Sequence, residues 1–305
     1  MLTLLLFGLT GWAFWPVLQE LAERWGSDPQ YSHCALVPLV AAFVLFTRRH
    51  SLPPARRSSL LGAGLVTAGL ALDFVGEAGY FGFLRGLGFI VVLCGIFAAL
   101  NGWRTMVWAL PAMSLLLFAI PLPFRIHSAL AEPLQKTVAY GTTSLLQLRG
   151  RPAIALGNVV SVGDERTGVA DACSGVGMLF VFLFAAAVIA ALSRRPLVDK
   201  LLVFAMAPVA GLAANILRVS ATLEARAMGY QPDIVTKVHD VGGYLLGPVA
   251  LVVLLFFLGV IAVVFPASKP ADEPLQIAFQ LGMADERDQI APRRSRGIRP
   301  SAPGR

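Results

Sequence analysis

Long segments of apolar residues, with few charges inside them and short loops between them, constrain this chain more than any other feature. A helix needs roughly 20 mostly apolar residues to cross the hydrocarbon part of a bilayer. The sequence predicts eight such helices, at residues 2–18, 33–47, 60–76, 83–100, 105–121, 174–192, 200–220 and 241–265. The first has neither a basic start nor a small-residue cleavage site, so we expect a retained helix and not a signal peptide. The predicted fold class is an all-α integral membrane protein.

The charge content excludes an ordinary soluble domain. Only 14% of the residues are charged and the mean hydropathy is +0.71, whereas soluble domains carry about 25% charged residues. The net charge of +7 does not indicate a nucleic-acid site, because the basic residues cluster in a few loops and in the tail. The three cysteines are too few for a disulfide framework, and no Cys or His spacing indicates zinc. We therefore expect the lipid bilayer as a partner, and no nucleic acid, metal or cofactor.

Basic residues in the short loops predict the orientation of the helices. The loops after the second, fourth and sixth spans hold eight Lys and Arg residues and one acid, whereas the loop at 19–32 holds three acids and one base. Because Lys and Arg accumulate in cytoplasmic loops, we predict a multi-pass protein of the inner or plasma membrane with both termini in the cytoplasm. The outward-facing loops are then 19–32, 77–82, 122–173 and 221–240. Residues 1–265 form the predicted membrane domain, and residues 266–305 are predicted to be a disordered tail.

The longest outer loop contains two predicted elements. Apolar residues recur at helical spacing within 126–148, which predicts an amphipathic helix at the membrane surface. Residues 152–170 change to β-branched and glycine-rich sequence, with turn signals at Gly157-Asn158 and Gly163-Asp164. This pattern predicts a short β-hairpin before the sixth span.

One cysteine stands where a helix is predicted to begin. Cys173 is followed by Ser174-Gly175-Val176-Gly177 at the outer start of the sixth span. The dipole and free N–H groups of a helix N-terminus favour a thiolate and can stabilise an oxyanion. The two glycines leave room for the backbone of a substrate. A cysteine here can equally be a small buried residue that packs between helices, so position alone leaves both interpretations open.

Asn215 and Arg218 form a second polar group, at the outer end of the seventh span. They are three residues apart and therefore share one face of a helix. Ionisable residues in or near the membrane are costly and often functional. Arg218 could instead reach out to the lipid headgroups, but an amide on the same face favours an inward-facing surface.

His239 is the third candidate and lies just before the eighth predicted span, with Asp240 beside it and Gly242-Gly243 after it. Histidine titrates near neutral pH and is the commonest general base, although a solvated loop histidine is the simpler interpretation. His33, at the start of the second span, is a candidate for a supporting role.

The predicted topology brings these groups to one membrane face, although the basic loops that define it contain none of them. Cysteine plus histidine is the minimal pair for thiol catalysis, and an arginine can hold a thiolate, an oxyanion or a substrate carboxylate. A transporter or a non-catalytic export-complex subunit is the alternative, because polar residues in membrane helices also mark transport paths. A transporter is disfavoured because the sequence has no pseudo-symmetric halves and because the polar groups gather at one face.

The ordered motifs resemble the exosortase/archaeosortase family over about residues 31–260. The resemblance lies in Ala172-Cys173-Ser174-Gly175, in Asn215-Ile216-Leu217-Arg218 and in His239 before a glycine-rich span. The upstream segments Tyr31-Ser32-His33, Pro121-Leu122-Pro123 and Gly157-Asn158 are also similar to the family's pattern.

The resemblance implies a cysteine protease or transpeptidase with eight spans and a site at the outer membrane face. Cys173, Arg218 and His239 match the family's catalytic residues, and Asn215 and His33 are expected to support them. The family's substrates are membrane-anchored proteins with a C-terminal sorting signal: a Pro-Glu-Pro motif, a transmembrane helix and a basic cluster. Cleavage near the motif, transfer to an acceptor and a link to exopolysaccharide production are also implied. Cys34 departs from the family, which usually has glycine there, and leaves a Cys34–Cys173 disulfide open.

Overall fold

The computed structural model describes residues 2–28, 30–54, 59–163, 165–168 and 174–264. Helices account for 82% of the described residues, as expected for a helical membrane protein. The helices are α1 (Leu2–Ala13), α2 (Trp15–Ser27), α3 (Val37–Arg48), α4 (Leu60–Ala78), α5 (Gly82–Asn101), α6 (Trp103–Leu115), α7 (Phe124–Leu148), α8 (Val176–Leu192), α9 (Leu197–Ala227) and α10 (Pro232–Val264). An antiparallel sheet of three strands, β1 (Ala153–Leu156), β2 (Val159–Val162) and β3 (Glu165–Gly168), lies between α7 and α8 in the chain.

The described residues contain five helical segments that are long and apolar enough to cross a membrane, fewer than the eight predicted. These segments are Ser32–Ser51, Leu60–Ala78, Gly82–Asn101, Leu197–Ala227 and Pro232–Val264. The bent pair Trp103–Ala119 and Phe124–Leu148, whose halves meet at 78°, counts as a sixth candidate if the two halves are taken as one span. Helix α8 is apolar but only 17 residues long. The numbers differ because hydropathy alone does not show where a helix bends, breaks or ends.

The first predicted span, 2–18, consists of two helices and not one. The break falls at Phe14, because Pro16 lacks the N–H of a helical residue and its ring crowds the preceding turn. Helix α2 then continues to Ser27, well beyond the predicted end. Phe14 at the break, together with Val17 and Leu21 of α2, is buried against α5.

The last two helices are longer than predicted and take up most of the loop at 221–240. Helix α9 ends just before Gly229, whose φ of 76° is the left-handed conformation that commonly terminates helices. Helix α10 begins at Pro232, and proline is favoured in the first turn of a helix. His239 therefore lies inside α10 and not before it, and Arg218 lies inside α9 and not at its end.

Glycines create the closest helix contact, which joins α4 to α5. Gly62, Gly69 and Gly76 are seven residues apart and are the buried residues of α4. A Cβ built on Gly69 would lie 2.8 Å from the carbonyl oxygen of Gly88, and one built on Gly88 would lie 2.6 Å from that of Gly69. The two backbones thus pack directly against each other, as small residues permit in membranes.

Two contacts show that α3 and α8 run parallel and define the two ends of the bundle. At one end, Arg48 of α3 donates a hydrogen bond of 3.0 Å to the carbonyl of Ala191, near the end of α8. At the other end, Gln30 precedes α3 and packs on Gly177 in the first turn of α8, where a Cβ would meet Gln30 Cγ at 3.1 Å. We call this second end the site end, because it carries the residues described below.

Helix α7 and the three strands form a layer over the site end, here called the cap layer. The Gln30 side chain lies 2.7 Å from His127 Nε2, and Arg149 pairs with Glu224. The loops at 19–32, 122–173 and 221–240, which the sequence predicts on one membrane face, therefore meet at the same end. Helix α7 matches the predicted amphipathic helix, and it shares a core with the sheet and α9 that includes Val138, Ala139, Leu146, Val160, Val219 and Leu223. The region predicted as a hairpin forms three strands.

Candidate active site

The start of α8 lies directly against Asn215 of α9. Gly175 precedes α8 with a φ of 91°, a left-handed conformation that other residues rarely adopt. A Cβ built on Gly175 would lie 3.0 Å from Asn215 Nδ2, so a larger residue would also crowd this amide. Ser174 and Asn215 are both fully buried. The chain thus brings the residues that follow Cys173 into contact with the polar face of α9.

Arg218 and His239 are in contact across α9 and α10. Arg218 Nη2 lies 2.6 Å from His239 Nε2, and Arg218 Nε donates a hydrogen bond of 3.2 Å to the carbonyl oxygen of His239. Arg218 Nη2 also lies 3.3 Å from His239 Nδ1, and Nδ1 in turn lies 3.0 Å from a carboxylate oxygen of Asp240. The arginine therefore holds both the side chain and the backbone of the histidine.

These contacts fit one tautomer of His239. An arginine can only donate, and Arg218 Nη2 is closer to Nε2 than to Nδ1, at 2.6 Å against 3.3 Å, so the contacts favour a ring proton on Nδ1, facing Asp240. A carboxylate on Nδ1 orients an imidazole and stabilises its protonated form, as in hydrolase triads. Adjacent residues rarely aim their side chains at each other, but His239 and Asp240 are in contact here.

Two glycines of α10 lie next to the Arg218 side chain, and a Cβ on either one would make an ordinary van der Waals contact with it. A Cβ built on Gly242 would lie 3.4 Å from Arg218 Cγ, and one built on Gly243 would lie 3.7 Å from Arg218 Cζ. The guanidinium thus lies along the surface of α10, next to His239. The Gly242-Gly243 pair, which in the sequence is only a neighbour of His239, has a packing role toward Arg218.

A second polar cluster lies on another face of the first turn of α8. It contains Gln30, His127 and His33, with Tyr31 beside them. Burial and the nearby Asp28 raise the pKa of the Tyr31 hydroxyl above its ordinary value, so Tyr31 remains a neutral donor at physiological pH. A small pocket here is lined by His33, Cys34, Phe118, Val176, Gly177 and Phe180. His33 therefore lies near the start of α8, but on a different face from Asn215.

The two described cysteines are free thiols. Cys34 is 1% exposed, and its Sγ lies 3.2 Å from the carbonyl oxygen of Phe118, to which it donates. A disulfide between Cys34 and Cys173 is thus not present in the structure. The small side chain at position 34 is explained by its burial between the start of α3 and the end of the fifth predicted span, 105–121.

The structure brings three of the five predicted site residues together: Asn215, Arg218 and His239. His33 lies apart from them, and Cys173 lies outside the described residues. Gln30 and His127 were not predicted as site residues, because neither belongs to a motif and their contact joins residues 97 positions apart. Only a sequence signal of long-range pairing could have identified them.

The fold and this polar cluster define a class: a multi-pass helical membrane protein with an arginine–histidine contact at one end of its bundle. The sequence profile of the transmembrane exosortase family matches residues 25–258. The chain therefore belongs to the transmembrane exosortase family, whose members are generally cysteine transpeptidases or proteases. Neither the curated proteins nor the solved structures contain a significant match to the chain.

Proposed function

We propose that this protein is a membrane-embedded cysteine transpeptidase or protease that cleaves C-terminal sorting signals at the outer membrane face. The observation that carries the proposal is the contact between Arg218 and His239, one helical turn from Asn215 and beside the chain that leads to Cys173. Family membership supports the reaction class. The residue roles below are part of the proposal.

Covalent geometry supports Cys173 as the nucleophile. Cys173 is two residues before Gly175, so its Cα lies within about 7 Å of the Gly175 Cα. Gly175 touches Asn215, and Asn215 is three residues from Arg218 on the same face of α9. The proposal therefore places the Cys173 thiol within reach of Arg218 and His239, because a nearby cation and a histidine are the groups that activate a cysteine.

In the proposed reaction, His239 takes the proton of the Cys173 thiol, and the thiolate attacks the carbonyl carbon of the scissile peptide bond. The carbonyl oxygen becomes an oxyanion, for which Arg218 and the first-turn N–H groups of α8 are the candidate donors. The C–N bond then breaks, the leaving amine takes the proton from His239, and an acyl thioester remains on Cys173. An acceptor amine or water attacks the thioester and gives its proton to His239. The C–S bond breaks, and the sulfur takes the proton from His239, which regenerates the thiol.

The resting contact between Arg218 and His239 has a consequence for this mechanism. Arg218 Nη2 occupies the Nε2 lone pair that a general base must offer. Substrate binding must therefore draw the guanidinium toward the sulfur or the developing oxyanion, while Asp240 keeps Nδ1 in place. Asn215 would support the site from α9, and His33 would support the opposite face of α8.

The proposed substrates are membrane-anchored proteins with a Pro-Glu-Pro motif, a transmembrane helix and a basic cluster at the C-terminus. We infer that the membrane domain comprises residues 1–265 with eight spans, which adds α1 with α2, and α8, to the six segments that length and composition support. The site then faces outward from the inner or plasma membrane, with both termini in the cytoplasm. A role beside exopolysaccharide production is part of the same proposal.

The test is processing of a reporter protein with such a signal in cells that express this protein. Cys173→Ser should insert normally and lower processing by more than about a hundredfold, because a hydroxyl without a matched base is a far weaker nucleophile. Cys34→Ala and Cys94→Ala are the matched controls and should process the reporter at nearly the wild-type rate. A transporter or an export-complex subunit would tolerate Cys173→Ser, since serine has almost the same volume, and full processing by this variant would refute the thiol mechanism.

A further inference from the structure

The sheet of the cap layer has two edges, and α7 covers one of them. The strand order is β1-β2-β3, so β1 and β3 are the edge strands. The side chain of Gln147, at the end of α7, donates a hydrogen bond of 2.8 Å to the carbonyl of Ala153 and so satisfies one outward-pointing carbonyl of β1. Within the described part of the chain, β3 pairs with β2 alone.

The register shows which backbone groups of β3 point away from the sheet. The N–H of Gly163 donates to the carbonyl of Pro152, so Ala153 and Val162 form a non-hydrogen-bonded pair, and the groups of Val162 point toward β3. The direction of the backbone N–H and C=O groups alternates along β2. Those of Val160 therefore also point toward β3, whereas those of Val159 and Ser161 point toward β1. Their partners on β3 follow the same alternation.

Arg166 and Gly168 are therefore the residues whose N–H and C=O groups point away from β2. Arg166 is paired with Ser161, and Gly168 with Val159, both of which direct their own groups to β1. Both β3 residues are exposed. A row of outward-pointing backbone donors and acceptors on an edge strand is a template for another extended chain.

The continuity of β3 with the proposed nucleophile indicates what this edge binds. Gly168 is five residues before Cys173, so an extended chain of that length spans at most about 17 Å. A peptide paired with β3 would thus have its scissile bond within about five residues of the paired segment. The opposite edge, beside Gln147, leads back to α7 and has no such connection.

We propose that β3 binds the extended peptide segment of the substrate next to the scissile bond as a fourth strand. The inference rests on the proposed function and adds a binding mode to it: backbone hydrogen bonds to Arg166 and Gly168 give affinity without dependence on the peptide's side chains. The ligand class is a flexible, extended peptide linker, and a folded domain or a helix does not fit this edge.

Proline substitutions test the edge directly. Arg166→Pro removes an outward-pointing N–H that the β2–β3 ladder does not use, so the sheet should persist. We expect reporter processing to fall about tenfold, the scale of one lost backbone hydrogen bond. Arg166→Ala removes the charge but keeps the N–H, and it should process the reporter several times faster than Arg166→Pro. Ala155→Pro places the same ring at an outward-pointing position of β1, and it should retain processing.

Two outcomes overturn the proposal: wild-type processing by Arg166→Pro, or equal losses in Arg166→Pro and Arg166→Ala, which would assign the effect to the side chain. If Arg166→Pro is lost from the membrane fraction, photo-crosslinking decides. Benzoylphenylalanine in place of Arg166, in the Cys173→Ser protein, should crosslink to the reporter, whereas the same group in place of Ile154 on β1 should not. Absence of a crosslink from position 166 contradicts the proposal. Failure of the proposed function is distinct, because the wild-type protein would then leave the reporter uncleaved.

Discussion

Arg218 holds His239 through two separate groups, and this makes the shape of the guanidinium as important as its charge. Nη2 reaches the imidazole while Nε reaches the carbonyl of the same residue. The guanidinium also lies next to the glycine pair of α10. A lysine ammonium is a single point charge on a flexible stem and cannot make both contacts in this geometry.

We therefore expect Arg218→Lys to remain folded and inserted but to lose at least about tenfold in reporter processing, the scale of a lost charge-assisted hydrogen bond. Arg149→Lys is the matched control, because Arg149 makes one half-exposed ion pair with Glu224 and such pairs contribute little. The measurement is the processing rate at equal amounts of membrane-inserted protein. Equal rates for Arg218→Lys and wild type would reduce Arg218 to an anchor at the lipid headgroups.

At the scale of elements, the α4–α5 hairpin depends on direct contact between backbones. Helix α4 buries three glycines and exposes most of its large apolar side chains, so it is held in place mainly by that contact. The glycines of α5 fit between those of α4, and a methyl group at several of these positions would meet backbone atoms, which cannot move away as a side chain can.

Gly88→Ala should separate the two helices, because its Cβ would lie 2.6 Å from the carbonyl oxygen of Gly69. We expect the free energy of unfolding to fall by about 2 kcal/mol, the usual cost of overpacking. The measurement is the apparent melting temperature of the purified protein in detergent. Gly64→Ala on the same hairpin is the control, since no atom lies within 4 Å of its added Cβ, and a melting temperature as low as that of Gly88→Ala would contradict the explanation.

At the scale of the whole molecule, contacts between distant loops define two ends. Gln30 with His127 and Arg149 with Glu224 join the loops of the site end, whereas Arg48 with Ala191 joins the basic loops of the other end. The basic loops then predict that the site end faces outward.

Single cysteines in a background without the native ones test this orientation. Cysteines in place of His50 and Ser193 should be protected from a membrane-impermeant thiol reagent in intact cells, and cysteines in place of Asn158 and Met228 should react. Permeabilised cells provide the control, in which all four should react. Labelling of positions 50 and 193 in intact cells, with protection of 158 and 228, would show the opposite orientation, in which the proposed site faces the cytoplasm.

Local patterns in the sequence determined the membrane class, the amphipathic helix α7 and the grouping of loops at two ends. These features depend on residues near one another in the chain: apolar runs, helical spacing and clustered charges. The exosortase resemblance also arose from short ordered motifs, and the family match over residues 25–258 confirms it. The residues Asn215, Arg218 and His239 could be selected in the same way, because each is a polar residue in an apolar segment.

Only the tertiary structure decided how these residues meet. Hydropathy does not predict the bend after α6 or the break at Pro16. It also does not predict how far α9 and α10 continue beyond their apolar parts, because polar residues can remain helical outside the membrane. The pairing of Arg218 with His239, the contact of Gly175 with Asn215 and the approach of Gln30 to His127 each join distant parts of the chain. Such contacts are fixed by the packing of whole helices against one another, and no local pattern of residues encodes them.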